Sequence, residues 1–425
     1  MNNAREYLDK KLNINEKIYN YVAKCEKDIK SYFDRIDDIA EFNQYKVTSA
    51  FISNEVSERH FNPSTGYGYS DDSKTKLCEV FATVFNTDAA IVSPLLMSGT
   101  HAITVALFGL LKPGDTLLCI SGNPYDTFND VLNGKNGDGS LKEWGINNKV
   151  IDLKNDTFDT PEIISTINND SSIKLIHIQK SRGYDTRCTI SCAEISSIVK
   201  EIRRVKKEIV IFVDNCYGEF TERIEPTEVG ANICAGSLIK NPGGGIAPSG
   251  GYIVGERGLI DRIANRYSAP GIGMEIGSYA HSYKEYFQGI FMAPHIVKEA
   301  LKGSILISKC MQDLNIEVLP KYDEERFDIT QSVIFNNEKL LTEFIRGIQM
   351  ASPVDSSAVP YAWDMPGYED QVIMAAGTFV QGATLELSAD GPIREPYAAY
   401  VQGGLTYENV KLGLMTALNN MGIIK

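Results

Sequence analysis

In this 425-residue chain, Asp214 closes the apolar run IVIFVD, and Lys240 follows a second apolar run, AGSLI, directly before NPGGG. A lysine that condenses with an aldehyde, and a buried carboxylate that keeps a pyridine nitrogen protonated, are the two groups that a pyridoxal phosphate (PLP) site requires of its protein. Taken singly, each reads as ordinary loop chemistry: a strand-end aspartate is a cap, and a lysine among glycines is a solvated cation. Their order and context favour the PLP reading. The glycines after Lys240 let backbone pass close to a ligand. The half-apolar turn predicts a poorly solvated ammonium with a lowered pKa, tending toward the neutral amine that attacks a carbonyl.

Other strings could complete such a site. SGTHAI, at Ser98 to Ile103, sits where the strand AAIVSP passes into a helix. Amides and hydroxyls at a helix N-terminus suit a dianionic phosphate, although Ser98 and Thr100 serve equally well as plain helix caps. Ser237, three residues before Lys240, offers a further hydroxyl. PYDT follows the strand DTLLCISG and brings Tyr125 out at the carboxyl end of the sheet, where ligands bind in α/β folds. There its ring could stack on a pyridine, or close a turn as a half-buried tyrosine. SRGY follows IKLIHIQ and directs Gln179 and Arg182 toward cofactor or substrate.

The elements that must position these residues alternate from Ser73 onward: KTKLCEVFATVF, AAIVSP, GTHAITVALFGLL, DTLLCI, NKVIDL, IKLIHIQ, AEISSIVKEIRRV, EIVIFVD. Helix and strand patterns in alternation predict an α/β fold with a mostly parallel sheet covered on both faces. Residues 1–70 read as a helical arm and loop, and 71–290 as the large cofactor domain. Residues 291–425, with the helical FMAPHIVKEALKGSILISKCMQDL, the alternating GTFVQGATLELSAD and a closing helix, read as a smaller α+β domain.

A net charge of −13 argues against nucleic acid and anionic membranes as partners. No apolar run is long enough to span a bilayer and the first residues lack an export pattern, so a cytoplasmic location is expected. The eight cysteines are scattered, and neither they nor the five histidines show metal spacing, so no metal site is expected. GIGMEIG is one residue too long for a dinucleotide fingerprint. A rival reading has the acidic runs DRIDD and YSDD bind a hard cation on a non-catalytic scaffold.

VDNCYGEF, AGSLIKNPGGG, SGTHAI and PYDT together resemble the fold-type-I PLP enzymes of sulfur amino-acid metabolism, the cystathionine and methionine lyases. SLIKNPGGGIAPSGGYIVG and ADGPIREPY resemble in particular the cystathionine beta-lyase-like branch linked to aluminium resistance. The resemblance covers nearly the whole chain. It implies Lys240 as the Schiff-base lysine and Asp214 as the pyridinium partner. Tyr125 becomes the stacking ring and a candidate proton donor beside Lys240, and Ser98, Gly99, Thr100 and Ser237 become the phosphate cradle. It further implies homodimers or homotetramers with shared active sites, Tyr67 and Tyr69 reaching the neighbouring subunit's phosphate. This chain departs from the family in two places. GYGYSDDS lacks the arginine that accompanies those tyrosines, and the substrate-carboxylate arginine aligns near Tyr400, leaving Arg394, six residues earlier, to take the role. The implied activity is β-elimination from a cystathionine or cysteine-type amino acid, with γ-elimination or aminotransfer as alternatives.

Overall fold

The computed structural model describes residues 3–134, 137–185, 187–277, 279–365 and 368–424. Two compact units are present, Phe42–Pro294 and Met1–Glu41 together with His295–Lys425.

In the first unit, seven strands follow the apolar runs of the sequence: β1 (Ala89–Ser93), β2 (Thr116–Cys119), β3 (Asn147–Val150), β4 (Ile173–Gln179), β5 (Val210–Asp214), β6 (Ile233–Ser237) and β7 (Gly251–Gly255). Their order is β1-β7-β6-β5-β4-β2-β3. β6, β5, β4, β2 and β3 pair in parallel, and β7 alone runs antiparallel to its neighbours β1 and β6. Every residue of β1, β2, β6 and β7 is buried, as expected of strands covered on both faces. β3, the edge, reads NNKV and stays half exposed, its polar side chains discouraging pairing with another chain.

Alternate residues of these strands, including Ile91, Leu117, Leu175, Phe212, Ile233 and Ile253, join one core with Ala102, Ile103, Ala106 and Leu107 of helix Gly99–Leu110 and Ile260 and Ile263 of helix Arg257–Tyr267. At about 25 cal/mol per Å² of apolar surface removed from water, such residues contribute roughly 1.5–3 kcal/mol each. The parallel register sets Gln179 beside Asp214, and Asp214 beside Ala235 two residues short of Ser237. Three expected site residues thereby leave neighbouring strands at the same sheet edge.

The second unit carries an antiparallel sheet of β8 (Glu317–Leu319), β9 (Gln331–Ile334), β10 (Val372–Ala375), β11 (Ser388–Pro392) and β12 (Ala398–Gln402), in the order β10-β11-β12-β9-β8. The segment GTFVQGATLELSAD, expected to alternate as strand, becomes strand only at Ser388. Upstream, the Glu386 carboxylate accepts from the amides of Phe379 and Val380 at 2.9 Å each. These bonds fold the backbone back on itself in place of a ladder. The amino-terminal arm is two helices, Ala4–Leu12 and Glu16–Ser53, parted at Asn13, whose φ of 53° is left-handed. The longer helix runs into the segment expected as loop.

Members of the acidic runs serve the fold. Asp37 accepts from Lys302 Nζ at 2.6 Å, and Asp71 caps helix Asp72–Val84 by accepting from Lys74 N at 3.0 Å. Among the described residues, no group of three or more His, Cys, Asp or Glu side chains could hold a metal.

Candidate active site

Asp214 ends β5 with its carboxylate buried, and Oδ1 accepts from the Cys216 amide at 3.0 Å. Burial raises its pKa, opposed first by the Lys240 charge. Lys240 follows β6 and is partly buried, its Nζ 3.8 Å from the centroid of the Tyr217 ring. It makes no hydrogen bond or ion pair with any described residue. Burial works against its charge, but the acidic groups of Cys216, Tyr217, Asp214 and Tyr125 outweigh it, and the pKa lies well above the ordinary lysine value. The expectation of a lowered pKa counted the apolar turn and not these four neighbours.

The phosphate-binding expectation meets a built corner. Ser98 caps helix Gly99–Leu110, its hydroxyl accepting from His101 N at 3.1 Å. Thr100 Oγ1 lies 3.0 Å from the Tyr125 hydroxyl. A Cβ added to Gly99 would sit 3.1 Å from Ser237 Cβ and 3.3 Å from Cys216 Sγ. A side chain at position 99 would therefore crowd β6 where the helix starts, and glycine leaves amides and the Ser98, Thr100 and Ser237 hydroxyls around one corner. Serine as cap and serine as anion donor are compatible here, because a helix N-terminus has several free amides.

Tyr125 is placed by Gln179, whose Oε1 accepts from Tyr125 N at 3.0 Å while its Nε2 donates to Ser181 O at 3.0 Å. Burial, and next the Asp214 charge, raise the phenol pKa. The hydroxyl therefore keeps its proton at neutral pH. Behind it, Tyr125 stacks on Phe128 (5.6 Å between centroids, 29° between planes), Phe128 on His177 (5.4 Å, 20°) and His177 on Phe212 (5.8 Å, 19°). Burial pushes the His177 pKa down to about 3, and neither ring nitrogen has a hydrogen-bond partner among the described residues.

The remaining expected residues have other contacts. Tyr67 and Tyr69 are 61% and 74% exposed and pack on each other at 5.1 Å, and Gly277 N donates to Tyr67 O at 3.2 Å. Arg394 belongs to the other unit, where its Nη1 donates to Asp370 Oδ2 at 2.8 Å.

Several site groups carry no signal in the sequence. Tyr217 and Phe220 adopt left-handed φ values of 71° and 63°, strained for non-glycine residues and typical of a backbone held for function. Asn241 Nδ2 donates to Tyr217 O at 3.0 Å and Glu219 O at 2.9 Å, tying the lysine turn to that segment. Glu219 is buried, with Oε1 accepting from Tyr252 OH at 2.7 Å. Burial raises its pKa to about 8. The YGEF string was legible, but the bent backbone that turns the Tyr217 ring under Lys240 was not.

An amine with no ion pair among the described residues, a buried carboxylate, an aromatic hydroxyl and a corner of hydroxyls and amides at a helix start fit PLP in kind: aldehyde, ring nitrogen and phosphate each find a group of matching chemistry. Comparison with known proteins agrees with the geometry. Residues 18–422 match the family model for methionine gamma-lyase. A proposed cystathionine beta-lyase involved in aluminium resistance from Clostridium acetobutylicum is 48% identical, covering 99% of both chains with a TM-score of 0.95. A carbon-sulfur lyase involved in aluminium resistance from Clostridium novyi is 49% identical, covering 98% of this chain and 99% of its own, with a TM-score of 0.94. The uncharacterised Bacillus subtilis protein YnbB is 45% identical over 93% of this chain and 94% of its own length. At 16% identity and a TM-score of 0.61, covering 90% of this chain and 97% of its own, the pyridoxal-5'-phosphate dependent protein YhfS of Escherichia coli shares the fold.

Proposed function

Because the chain belongs to the methionine gamma-lyase family, whose cofactor is PLP and whose fold is fold type I, we propose that it is a carbon-sulfur lyase eliminating the β-thiolate of a cystathionine or cysteine-type amino acid. The observation that carries this reading is Lys240 Nζ, which lies 3.8 Å from the centroid of the Tyr217 ring and has no carboxylate partner among the described residues, with the buried Asp214 carboxylate acting on it.

Lys240 would anchor the cofactor covalently, Asp214 would hold its ring nitrogen proton, Tyr125 would cover the ring, and Ser98, Gly99, Thr100 and Ser237 would take its phosphate. Gln179 would keep Tyr125 in place. Bound there, PLP supplies an electron sink for charge developing at the substrate α-carbon. Once the substrate amine has displaced it from the cofactor, Lys240 Nζ would be the base that takes the Cα proton. Its raised pKa matters here: a carboxylate engaged with a second N–H holds the Lys240 charge less firmly, so pairing at Asp214 eases release of the lysine proton. When the Cβ–S bond breaks, the electron pair leaves with sulfur. The proton it needs comes from Tyr125 Oη or is returned by Lys240 Nζ. Arg394 is proposed as a substrate contact that would have to exchange Asp370 for a carboxylate.

Purified holoenzyme given cystathionine, cysteine and methionine should form pyruvate and ammonia from the first two. 2-Oxobutyrate as the main product would establish γ-elimination instead. Oxo acid formed once per site, with the cofactor left in its amine form, would establish aminotransfer. The link to aluminium belongs to the relatives. For this chain it is a proposal, and equal aluminium tolerance of cells carrying wild-type or Lys240→Ala protein would remove it. A homodimer or homotetramer sharing Tyr67 and Tyr69 across subunits, located in the cytoplasm, completes the reading. No described helix is long and apolar enough to cross a membrane.

A further inference from the structure

Lys240 Nζ lies 3.8 Å from the centroid of the half-buried Tyr217 ring and makes no hydrogen bond or ion pair with any described residue. An ammonium that close to an aromatic ring is attracted by the negative face of its π-system, more strongly where water is scarce. The fold holds this contact in place. Tyr217 keeps a left-handed φ of 71°, a costly conformation for a residue with so large a side chain. Asn241, the residue after the lysine, donates from Nδ2 to Tyr217 O at 3.0 Å, and Gly218 N donates to Asn215 O at 2.9 Å. The turn that bears the amine thus fixes the backbone that bears the ring.

We propose that the Tyr217 ring is the seat of the Lys240 ammonium and stabilises the charge the amine acquires when it takes the substrate's Cα proton. This role rests on Lys240 being the base of the proposed reaction. As the proton passes to Nζ, the Cα–H electron pair stays with carbon and the nitrogen turns cationic. A carboxylate in contact would hold that charge outright. A ring face attracts it and leaves the three N–H groups of the ammonium free to return a proton. The other groups that bear on the amine are Asp214 and Cys216 at the end of β5, Tyr125 after β2 and Glu219 in the bent segment. Burial pushes the Cys216 thiol well up, the Tyr125 phenol up and the Glu219 carboxyl to about 8, so all three keep their protons at neutral pH. Asp214 is assigned to the cofactor nitrogen, which leaves the Tyr217 face to the lysine.

The test removes the ring and reads two rates that should move in opposite directions. Apoprotein given saturating pyridoxal phosphate captures it through the neutral amine, whose nitrogen forms a C=N bond while the aldehyde oxygen leaves as water. Holoenzyme given L-alanine in deuterated water exchanges the α-hydrogen. Neither step breaks a carbon-sulfur bond, so a failed pyruvate assay sinks the lyase reading alone. Tyr217→Leu keeps an apolar side chain on the same backbone but offers the ammonium no aromatic face. It should capture cofactor roughly 3- to 30-fold faster at neutral pH, because less of its amine is held protonated, and the gain should shrink as pH rises. The same variant should exchange the α-hydrogen of saturating alanine roughly 3- to 30-fold more slowly. Tyr217→Phe, which keeps the ring, should restore both rates toward wild type, and Tyr217→Met decides the matter if the leucine variant does not fold. Capture that slows, exchange that does not slow, or a phenylalanine variant that behaves as the leucine one would each overturn the role, the last by placing the function in the hydroxyl.

Discussion

Two lysines at the carboxyl edge of the same sheet, Lys180 buried and Lys240 partly buried, have opposite fates. Lys180, one residue past β4, is fully buried, with Nζ 2.9 Å from Glu222 Oε2 and donating to Gly218 O at 3.3 Å. Burial disfavours its charge, but Cys192, Glu222 and Glu225 outweigh that and raise its pKa. Lys240, three residues past β6, is also surrounded by acidic groups. Its Nζ nevertheless faces an aromatic ring, and Asp214 acts on it from beyond ion-pair distance. A lysine that has its counter-ion serves the fold. One with no direct ion pair among the described residues is left available to a ligand.

The comparison breaks most decisively at Lys240. Lys240→Ala should remove the absorbance of lysine-bound cofactor and reduce turnover on the order of 10³-fold or more, in the range seen when a nucleophilic residue is deleted, with unfolding by urea little changed. If the variant keeps both absorbance and turnover, the assignment is wrong. The reciprocal change, Lys180→Met, leaves Glu222 to the Cys192 amide at 3.1 Å and should cost at most about 3–5 kcal/mol of stability, while kcat per folded, cofactor-loaded chain stays within a few-fold of wild type. An unchanged urea midpoint would show that the Lys180 pair contributes nothing.

Glu219 sharpens the contrast from the carboxylate side. Its pKa rises from 4.5 to about 8 on folding, so the folded state binds the extra proton. The associated stability is present in full below about pH 4.5 and is lost as pH climbs toward 8, at most roughly 5 kcal/mol in all. Glu219→Gln should therefore flatten this fall and be the more stable form at pH 9. A variant with the wild-type pH dependence would assign the titration elsewhere. The smallest effect is expected at the exposed loop. Tyr69→Phe should weaken cofactor retention modestly, and mixing it with Lys240→Ala chains should restore about a quarter of the sites if subunits share them. A fully active monomer would exclude that sharing.

The contrast also marks what the sequence could convey. Asp214, Lys240, Ser98 and Ser237 were legible because each sits where an apolar strand run stops, and strand ends at one sheet edge must converge. Gln179 was legible for the same reason, though not its hold on the Tyr125 amide. Lys180 went unnoticed because its partner, Glu222, lies beyond the next strand, and charge pairing across strands leaves no local pattern. The pairing of Arg394 with Asp370 was hidden for the same reason. The sheet order followed from alternation, whereas the folded-back segment before Ser388 depended on one carboxylate, Glu386, gripping two amides.

The rings behind Tyr125 bear on how the site survives its own chemistry. In the proposed reaction protons come and go at Lys240, and the charge facing Asp214 changes with them, so any support that titrated in the same range would shift with each turnover. The column of Phe128, His177 and Phe212 cannot do so: with a pKa near 3, the imidazole at its centre stays neutral wherever the enzyme could work. Histidine here behaves as a flat aromatic spacer that has given up its usual sensitivity to pH. The tilt of Tyr125 is thereby insulated from changes of charge at its neighbours, and a residue that charged at position 177 would disturb the site through its foundation, without touching any group that meets the substrate.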